Sequence, residues 1–439
     1  MTTRGNGRAS GHQVAVVGAG YVGLPTAATL AHFGHSVVLA ERDRAKLETL
    51  RRGLSPIVEQ GLGELIAEGV ASGNLAFSES AVDAVKGARF VFLCVATPQC
   101  ADGSADLSFV EAAAKEIASH LASGAIVVTK STVPVGSATF VEQVIGRPDV
   151  SVVSNPEFLR EGSAVLDSLN PDRIVVGADD TQAAAKVGEL FATTGAPLIL
   201  TDATTSETIK YASNAFLATK LSFVNALAGL CEEVGADARD VLLGLGYDKR
   251  IGFEFLRPGP GWGGSCLPKD TSALLHIAKE AGYDFSLLAG AIASNDEQLA
   301  RVIGKVESMC GGSVAGVTLG VWGLTFKANT DDRRESPSLQ ITHRLTELGA
   351  TVQAFDPTVD AEAEPPDDLL GLQLRSDPYE AAAGAQAVLV LTEWDEFRWL
   401  DFSRVLNLMA EPCIVDARNL LDPSAVRRMG FRYTGLGRQ

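Results

Sequence analysis

Cysteine is scarce in this 439-residue chain, and none of it forms a paired motif. Cys94, Cys100, Cys231, Cys266, Cys310 and Cys413 lie scattered, without CxxC spacing or the density of a disulfide scaffold. Reduced thiols and a cytoplasmic setting are the expectation, and no metal site is expected. Basic residues are also short. Lys and Arg number 37 against 54 Asp and Glu, a formal charge of -17 that repels a polyphosphate backbone. This argues against nucleic acid as a partner but not against a small anionic ligand, because a local cluster of Arg, Lys and helix N-termini binds phosphate against an unfavourable overall field. No uninterrupted run of about 18 apolar residues is present, so no membrane association is expected. Residues 1–12 (MTTRGNGRASGH) lack the apolar stretch of a signal peptide and read as a disordered tail.

What is present is apolar content enough for two or three cores. From Gln13 short apolar runs alternate with helical stretches: QVAVV, a helix ending near Gly34, SVVLA, then RFVFLCVA, AIVVT and VSVVS. Buried parallel strands separated by crossover helices have this appearance, and a doubly wound α/β sheet is expected over residues 13–205. Strand-like runs then fade, and Ile209, Ala212, Phe216, Leu217, Leu221, Val224 and Leu227 mark an apolar stripe on a long central helix. Residues 206–305 are therefore read as a helical domain. A second Rossmann-like α/β domain is expected over 306–439, from GVTLGVWG, ATVQAF, AVLVLT and CIVDA, with the acidic stretch Asp360 to Asp368 as a surface loop.

The first strand runs directly into GAGYVG. There Gly18 allows a tight turn, Gly20 lets backbone approach a pyrophosphate, and Gly23 permits close packing of the following helix. The next strand is expected to end at Glu41, near the offset of a carboxylate that accepts ribose hydroxyls and repels a 2'-phosphate, which favours NAD over NADP.

Cys266 lies in PGPGWGGSCLPKD, a run crowded with glycine and proline that also holds Lys269 and Asp270. Such a loop brings backbone against a ligand and leaves a thiol beside a cation, a setting that favours the thiolate. The other cysteines read as core (Cys94, Cys231, Cys413) or as loop residues without a role (Cys100, Cys310). Lys210 and Asn214 share one face of the central helix, where a lysine read alone is solvated surface; Lys220 and Asn225 are read that way. Glu157 and Glu161 in SNPEFLREGSA are read either as site acids or as a helix-start cap.

Read together, these segments resemble the UDP-glucose/GDP-mannose dehydrogenase family, and within it the UDP-glucose branch. The likeness runs from about residue 13 to the C-terminus, through GAGYVG, GLSPIVEQGL, VATPQCADGSADLS, KSTVPVG, SNPEFLREGSA, KYASNAFLA, PGPGWGGSCLPKD, FKANTDDRRESPS and LTEWDEF. It implies two Rossmann-like domains, the first for NAD and the second for a nucleoside-diphosphate hexose, joined by a central helical domain that pairs subunits in a homodimer. It also implies oxidation of UDP-glucose to UDP-glucuronate through a thiohemiacetal and a thioester on Cys266. Lys210, Asp270, Asn214, Glu157 and Thr132 would serve with that cysteine at the catalytic centre. Val22, Glu41, Lys46, Thr97, Thr132, Glu161 and Arg334, with the three glycines, would contact NAD. Phe158, Leu159, Phe255, Gly263 and Lys327 would join Glu157, Lys210 and Asn214 around the nucleotide sugar. Arg250 would reach the sugar nucleotide of a neighbouring subunit.

The chain departs from the family pattern at several points. Glu41 stands where Asp is common, Trp262 where Tyr or Phe is, and Leu267 follows the cysteine where UDP-glucose enzymes usually carry Phe. GDP-mannose enzymes often carry Leu at that position, and because the base-reading contacts come from loops that sequence does not position, GDP-mannose and dTDP-glucose stay open as substrates. Ser265 and Lys269 stand where the UDP-N-acetylmannosamine branch typically has His and Val, which argues against that branch. Outside enzymes, the alternative is a silent NAD and sugar-nucleotide sensor.

Overall fold

The computed structural model describes residues 11–100 and 102–438. Most of the expected tail, residues 1–10, lies outside the described residues; His12 is ordered and stacks on His35 with ring centroids 5.6 Å apart. The chain divides into two compact units. One holds the chain up to Ser213 together with Ser272–Ala281, and the other holds Asn214–Thr271 and Gly282 onward.

The first unit is built on eight strands: β1 (Gln13–Val17), β2 (Ser36–Ala40), β3 (Leu75–Ser78), β4 (Phe90–Leu93), β5 (Ile126–Thr129), β6 (Ser151–Ser154), β7 (Ile174–Gly177) and β8 (Leu198–Thr201). They lie in the order β3-β2-β1-β4-β5-β6-β7-β8. The reversal of order at β1 puts helices on both faces, so β4 and β5 bury every side chain and β1 all but Gln13. Val14 and Val16 of β1 pack with Leu24, Ala27 and Leu30 on one face, while Ala15 and Val17 pack with Val110, Ile117 and Val141 on the other. Six strand pairs are parallel, as expected. The seventh, β6 with β7, is antiparallel and touches only at Ser154 and Gly177. Three strands escape the sequence pattern. These are β3 (LAFS), β7 (IVVG) and β8, an edge strand whose Leu198, Ile199 and Leu200 are all exposed.

The second unit carries a six-stranded sheet of β9 (Thr318–Trp322), β10 (Thr351–Phe355), β11 (Gln373–Leu374), β12 (Ala387–Val390), β13 (Cys413–Asp416) and β14 (Arg432–Gly435). The order is β11-β10-β9-β12-β13-β14, and every pair is parallel. Alternate residues again divide between two cores: Leu319, Val321 and Leu389 on one face, Trp322, Val388 and Val390 on the other. The acidic stretch after β10 is exposed, as expected.

The helix Ala203–Val234 overturns part of its sequence reading. Val224 of the expected stripe is buried, but Ala212 and Phe216 are exposed. In the first unit the helix instead buries Ser206, Glu207, Lys210 and Tyr211, and in the second Asn214, Ala218, Ser222 and Asn225. Lys210 and Asn225 are therefore not solvated surface. Their polar atoms have partners inside the protein, which is what permits burial. By length and composition this helix alone among the described residues could cross a membrane; its buried residues are a mixture of polar side chains with protein partners, such as Lys210, Asn214 and Asn225, and apolar ones, such as Ala218 and Val224.

Candidate active site

Gly18 follows β1 with φ +103°, and its N–H donates to Ala40 O at 2.9 Å. A Cβ there would sit 2.7 Å from Cys94 O. At Gly23 a Cβ would lie 1.9 Å from Gly18 O, so the helix Gly23–His32 can begin against the turn only because both residues are glycine. Gly20 differs, because a Cβ would meet nothing within 4 Å; its side of the turn is open. Val22 precedes the helix and offers no capping side chain, which leaves N–H groups and the positive end of the helix dipole for a ligand. β2 ends at Ala40, one residue earlier than expected, because the Glu41 carboxylate turns the chain by accepting from Arg42 N (2.7 Å) and Asp43 N (3.0 Å). Its other oxygen accepts from Ala19 N at 3.1 Å, so Glu41 is tied to the glycine turn and keeps lone pairs for a ribose. Arg42 is ion-paired with Glu116. Lys46 lies in the first turn of the helix Arg44–Arg51. An uncapped helix start, an open glycine and a carboxylate beyond the second strand fit a dinucleotide.

Further along the same sheet, the loops after β4 and β5 are joined where the Thr97 hydroxyl donates to Thr132 O at 2.9 Å. The loop after β6 carries Glu157, and no helix begins there, so the capping alternative for this acid falls. Glu157 and Lys210 form an ion pair at 2.6 Å with each side chain only 4% exposed. Leu159 N donates to the second Glu157 oxygen at 2.6 Å. Burial pushes this carboxyl up, but the charge and hydrogen bond of Lys210, the Leu159 N–H and the charge of Lys130 outweigh it and hold Glu157 below its ordinary value. Phe158 lies under the Arg173 guanidinium, 3.7 Å from the ring centroid, with Lys210 Nζ at 5.6 Å. Glu161 sits half-buried at the end of this loop.

In the second unit Cys266 immediately precedes the helix Leu267–Glu280, with Ser265 Oγ 3.5 Å from its sulfur. A helix N-terminus stabilises negative charge on such a sulfur. Asp270, fully buried, accepts from Lys269 Nζ at 2.5 Å and from Asn214 Nδ2 at 2.6 Å, so each oxygen has its own partner. The loop before Cys266 is held by three amides. Asn225 accepts from Gly259 N, Gln298 donates to Gly259 O, and Asn295 bonds Trp262 in both directions. Trp262 is itself buried, with its indole N–H on Ser222 Oγ at 2.8 Å. At Gly263 a Cβ would fall 1.9 Å from Glu335 O, and at Gly264 it would fall 2.8 Å from the Phe326 ring. Glycine there packs the cysteine loop onto the segment that carries Phe326, Lys327 and Arg334. Lys327 Nζ stands 5.4 Å from the Phe326 ring, and Arg334 pairs with Asp332. Phe255 holds a left-handed backbone, φ +59°, strained for a bulky residue. Arg250 is exposed and paired with Asp248.

Three regions of the chain match the domains of one family. Residues 12–195 match the NAD binding domain of the UDP-glucose/GDP-mannose dehydrogenase family, 204–297 its central domain and 320–423 its UDP binding domain. The chain belongs to this family. A UDP-glucose 6-dehydrogenase of Rhizobium meliloti (strain 1021) is 46% identical over 97% of this chain and 99% of that protein. Among solved structures, a UDP-glucose dehydrogenase from Pyrobaculum islandicum superposes with a TM-score of 0.89 at 36% identity, covering 98% of this chain and 99% of that one. A UDP-D-ManNAc dehydrogenase from Pyrococcus horikoshii reaches 0.85 at 28% identity, covering 97% and 99%. The fold is thus shared between dehydrogenases named for different sugars, and NAD is the cofactor of the N-terminal domain.

Within this family fold, several residues matter that sequence reading passed over. Glu59, from GLSPIVEQGL, accepts from Gly162 N and Ala164 N and so fastens the loop that carries Glu157. Glu207 does the same for KSTVPVG through Gly136 N and Ala138 N. Arg418 donates to Phe326 O at 2.7 Å and to Leu391 O at 2.8 Å, and pairs with Glu393. Lys130 is a second buried lysine near Glu157. Each lies inside or beside a motif, but a contact between residues tens of positions apart leaves no local pattern to read.

Proposed function

We propose that the chain is an NAD-dependent UDP-glucose 6-dehydrogenase, carrying the primary alcohol to the carboxylate of UDP-glucuronate in two oxidations. The observation that carries this reading is Cys266 at a helix start, four residues before a buried Asp270 that is clamped by Asn214 and Lys269. NAD, when bound, accepts a hydride in each oxidation. Once the aldehyde exists, the Cys266 thiolate adds to its carbon, and the thiohemiacetal oxygen is held by donors from Asn214 or Lys210. The second oxidation leaves a thioester on the sulfur. Water then attacks the acyl carbon, the carbon–sulfur bond breaks, and the thiolate is regenerated. We assign Glu157 as the acceptor of the water's proton, because Lys210 can turn from it to a substrate oxygen and so free Oε1. Asp270 keeps both partners and orients Asn214. Thr132, beside Thr97 and following the glycine turn in the sheet order, lines the NAD side.

We also infer a homodimer. The central helix exposes Phe216 (69%), Phe223 (59%), Leu230 (55%) and Val234 (67%) along one side, a larger apolar stripe than a lone soluble chain ordinarily shows. The domain limits we assign are 13–205 for NAD binding, 206–305 for the central helical domain with the cysteine loop, and 306–439 for the sugar nucleotide. Arg250, exposed in the single chain, is assigned to a neighbour's substrate, and the enzyme to the cytoplasm.

The test is NADH formed per sugar nucleotide consumed, followed by absorbance with UDP-glucose, dTDP-glucose, GDP-mannose and UDP-galactose, with Cys266→Ser alongside. Two NADH from UDP-glucose, abolished in the variant, is the expected result. Two NADH from another nucleotide would keep the mechanism and change the substrate. One NADH would overturn the thioester route, and tight NAD binding with no reduction would favour a sensor.

A further inference from the structure

Lys130, the first residue after β5 and its Thr129, is buried, and among the described residues it has no ion pair with a carboxylate of its own. Its Nζ donates to Asn155 Oδ1 at 3.0 Å and lies 5.5 Å from the Phe191 ring centroid. Asn155 cannot turn away, because its Nδ2 is held by Val175 O at 2.7 Å. A buried ammonium with one neutral acceptor is costly, and a fold keeps it where the charge serves a neighbour. Glu157 is bonded by Lys210 from the central helix and by the Leu159 N–H, and it feels the charge of Lys130 from the loop after β5, whose Nζ is held on Asn155 two residues before Glu157; Cys94 beyond β4 is the other titratable group near it. Burial holds the Cys94 thiol neutral, pushed up to about 12. Among these side chains Lys210 and Lys130 are cations and Glu157 is the anion between them. Lys210 is ion-paired with Glu157 at 2.6 Å, and Lys130 adds a second positive charge beside that carboxylate.

We propose that Lys130 is a positioning residue for the oxidation, the second cation of a Lys–Glu–Lys cluster, which keeps Glu157 ionised while Lys210 turns to the substrate oxygen. This rests on the reading of Glu157 as proton acceptor. Without Lys130, Glu157 would face the low-dielectric interior unpaired whenever Lys210 leaves it and would take up a proton, losing its capacity to accept one. The ammonium is itself brought down to about 8 by burial, against the pull of Glu157, so the support fades in alkali as well.

The experiment is the pH profile of kcat for the full-length enzyme, its Lys130→Met and Lys130→Arg variants, and Glu157→Gln alone and with Lys130→Met. The wild-type count of NADH per substrate is recorded first, so that failure of the reaction itself is seen separately. The expected result is an acid limb moved up by about one pH unit in Lys130→Met. It should return toward the wild-type position in Lys130→Arg, and no further shift should appear when Lys130→Met is added to Glu157→Gln. A uniform fall in kcat at all pH values, or an unmoved acid limb, would overturn the proposal. Should Lys130→Met not fold, Lys130→Gln keeps a donor for Asn155 without the charge and gives the same readout.

Discussion

The Asn214 carboxamide donates to Asp270 Oδ2 at 2.6 Å, and this bond fixes which way the amide presents its second N–H. An Asp270→Asn variant removes the negative charge that orients Asn214 and neutralises Lys269, which is itself largely buried. We expect kcat to fall about 100-fold with little change in KM, since the amide would act on the charge that develops during reaction. Steady-state kinetics on the preferred sugar nucleotide checks this, and an unchanged kcat would remove Asp270 from the active machinery.

Glu207 gives a pH signature in stability. Burial pushes its carboxyl from 4.5 up to about 7, against the Gly136 and Ala138 N–H groups that pull it down. The folded state therefore binds a proton more tightly than the unfolded chain. The contribution is full below about pH 4.5 and is lost as pH rises through about 7. The Tm of the wild type minus that of Glu207→Gln should thus fall by about 5 °C between pH 5 and pH 8. A difference that is flat or grows with pH would contradict the assignment.

Gly23→Ala places a methyl carbon 1.9 Å from Gly18 O, a contact that only backbone movement can relieve. The helix start would shift away from the turn. The expected outcome is NAD binding weakened by about tenfold or more, measured by fluorescence titration, with the second unit's urea transition unaltered. Equal NAD affinity in the variant would mean that the turn does not hold the cofactor.

Phe223→Glu puts a charge in the middle of the exposed apolar side of the central helix. Sedimentation velocity should show the wild type as a dimer or larger and the variant shifted toward monomer, because burying an unpaired carboxylate costs several kcal/mol. Retention of the wild-type species would move the subunit contact elsewhere.

The sequence by itself determined the strands carried by continuous apolar runs, such as QVAVV and GVTLGVWG. It also determined the glycine turn and the motif-borne residues, because these depend on period, glycine and short spacing. It could not show which side of the central helix is buried. Apolar periodicity points to Phe216, whereas the folded chain buries Lys210, Asn214 and Asn225 and leaves Phe216 exposed. The reason is physical. A polar side chain is buried only where a partner such as Glu157, Asp270 or Gly259 N meets it, and those partners are 53, 56 and 34 residues away in the chain. Lys130, Glu59 and Glu207 were hidden for the same reason: their roles consist of contacts across the fold. The residue types that the chemistry requires were written in the motifs, and tertiary structure alone decided which charges are paired and which carboxylate remains ionised.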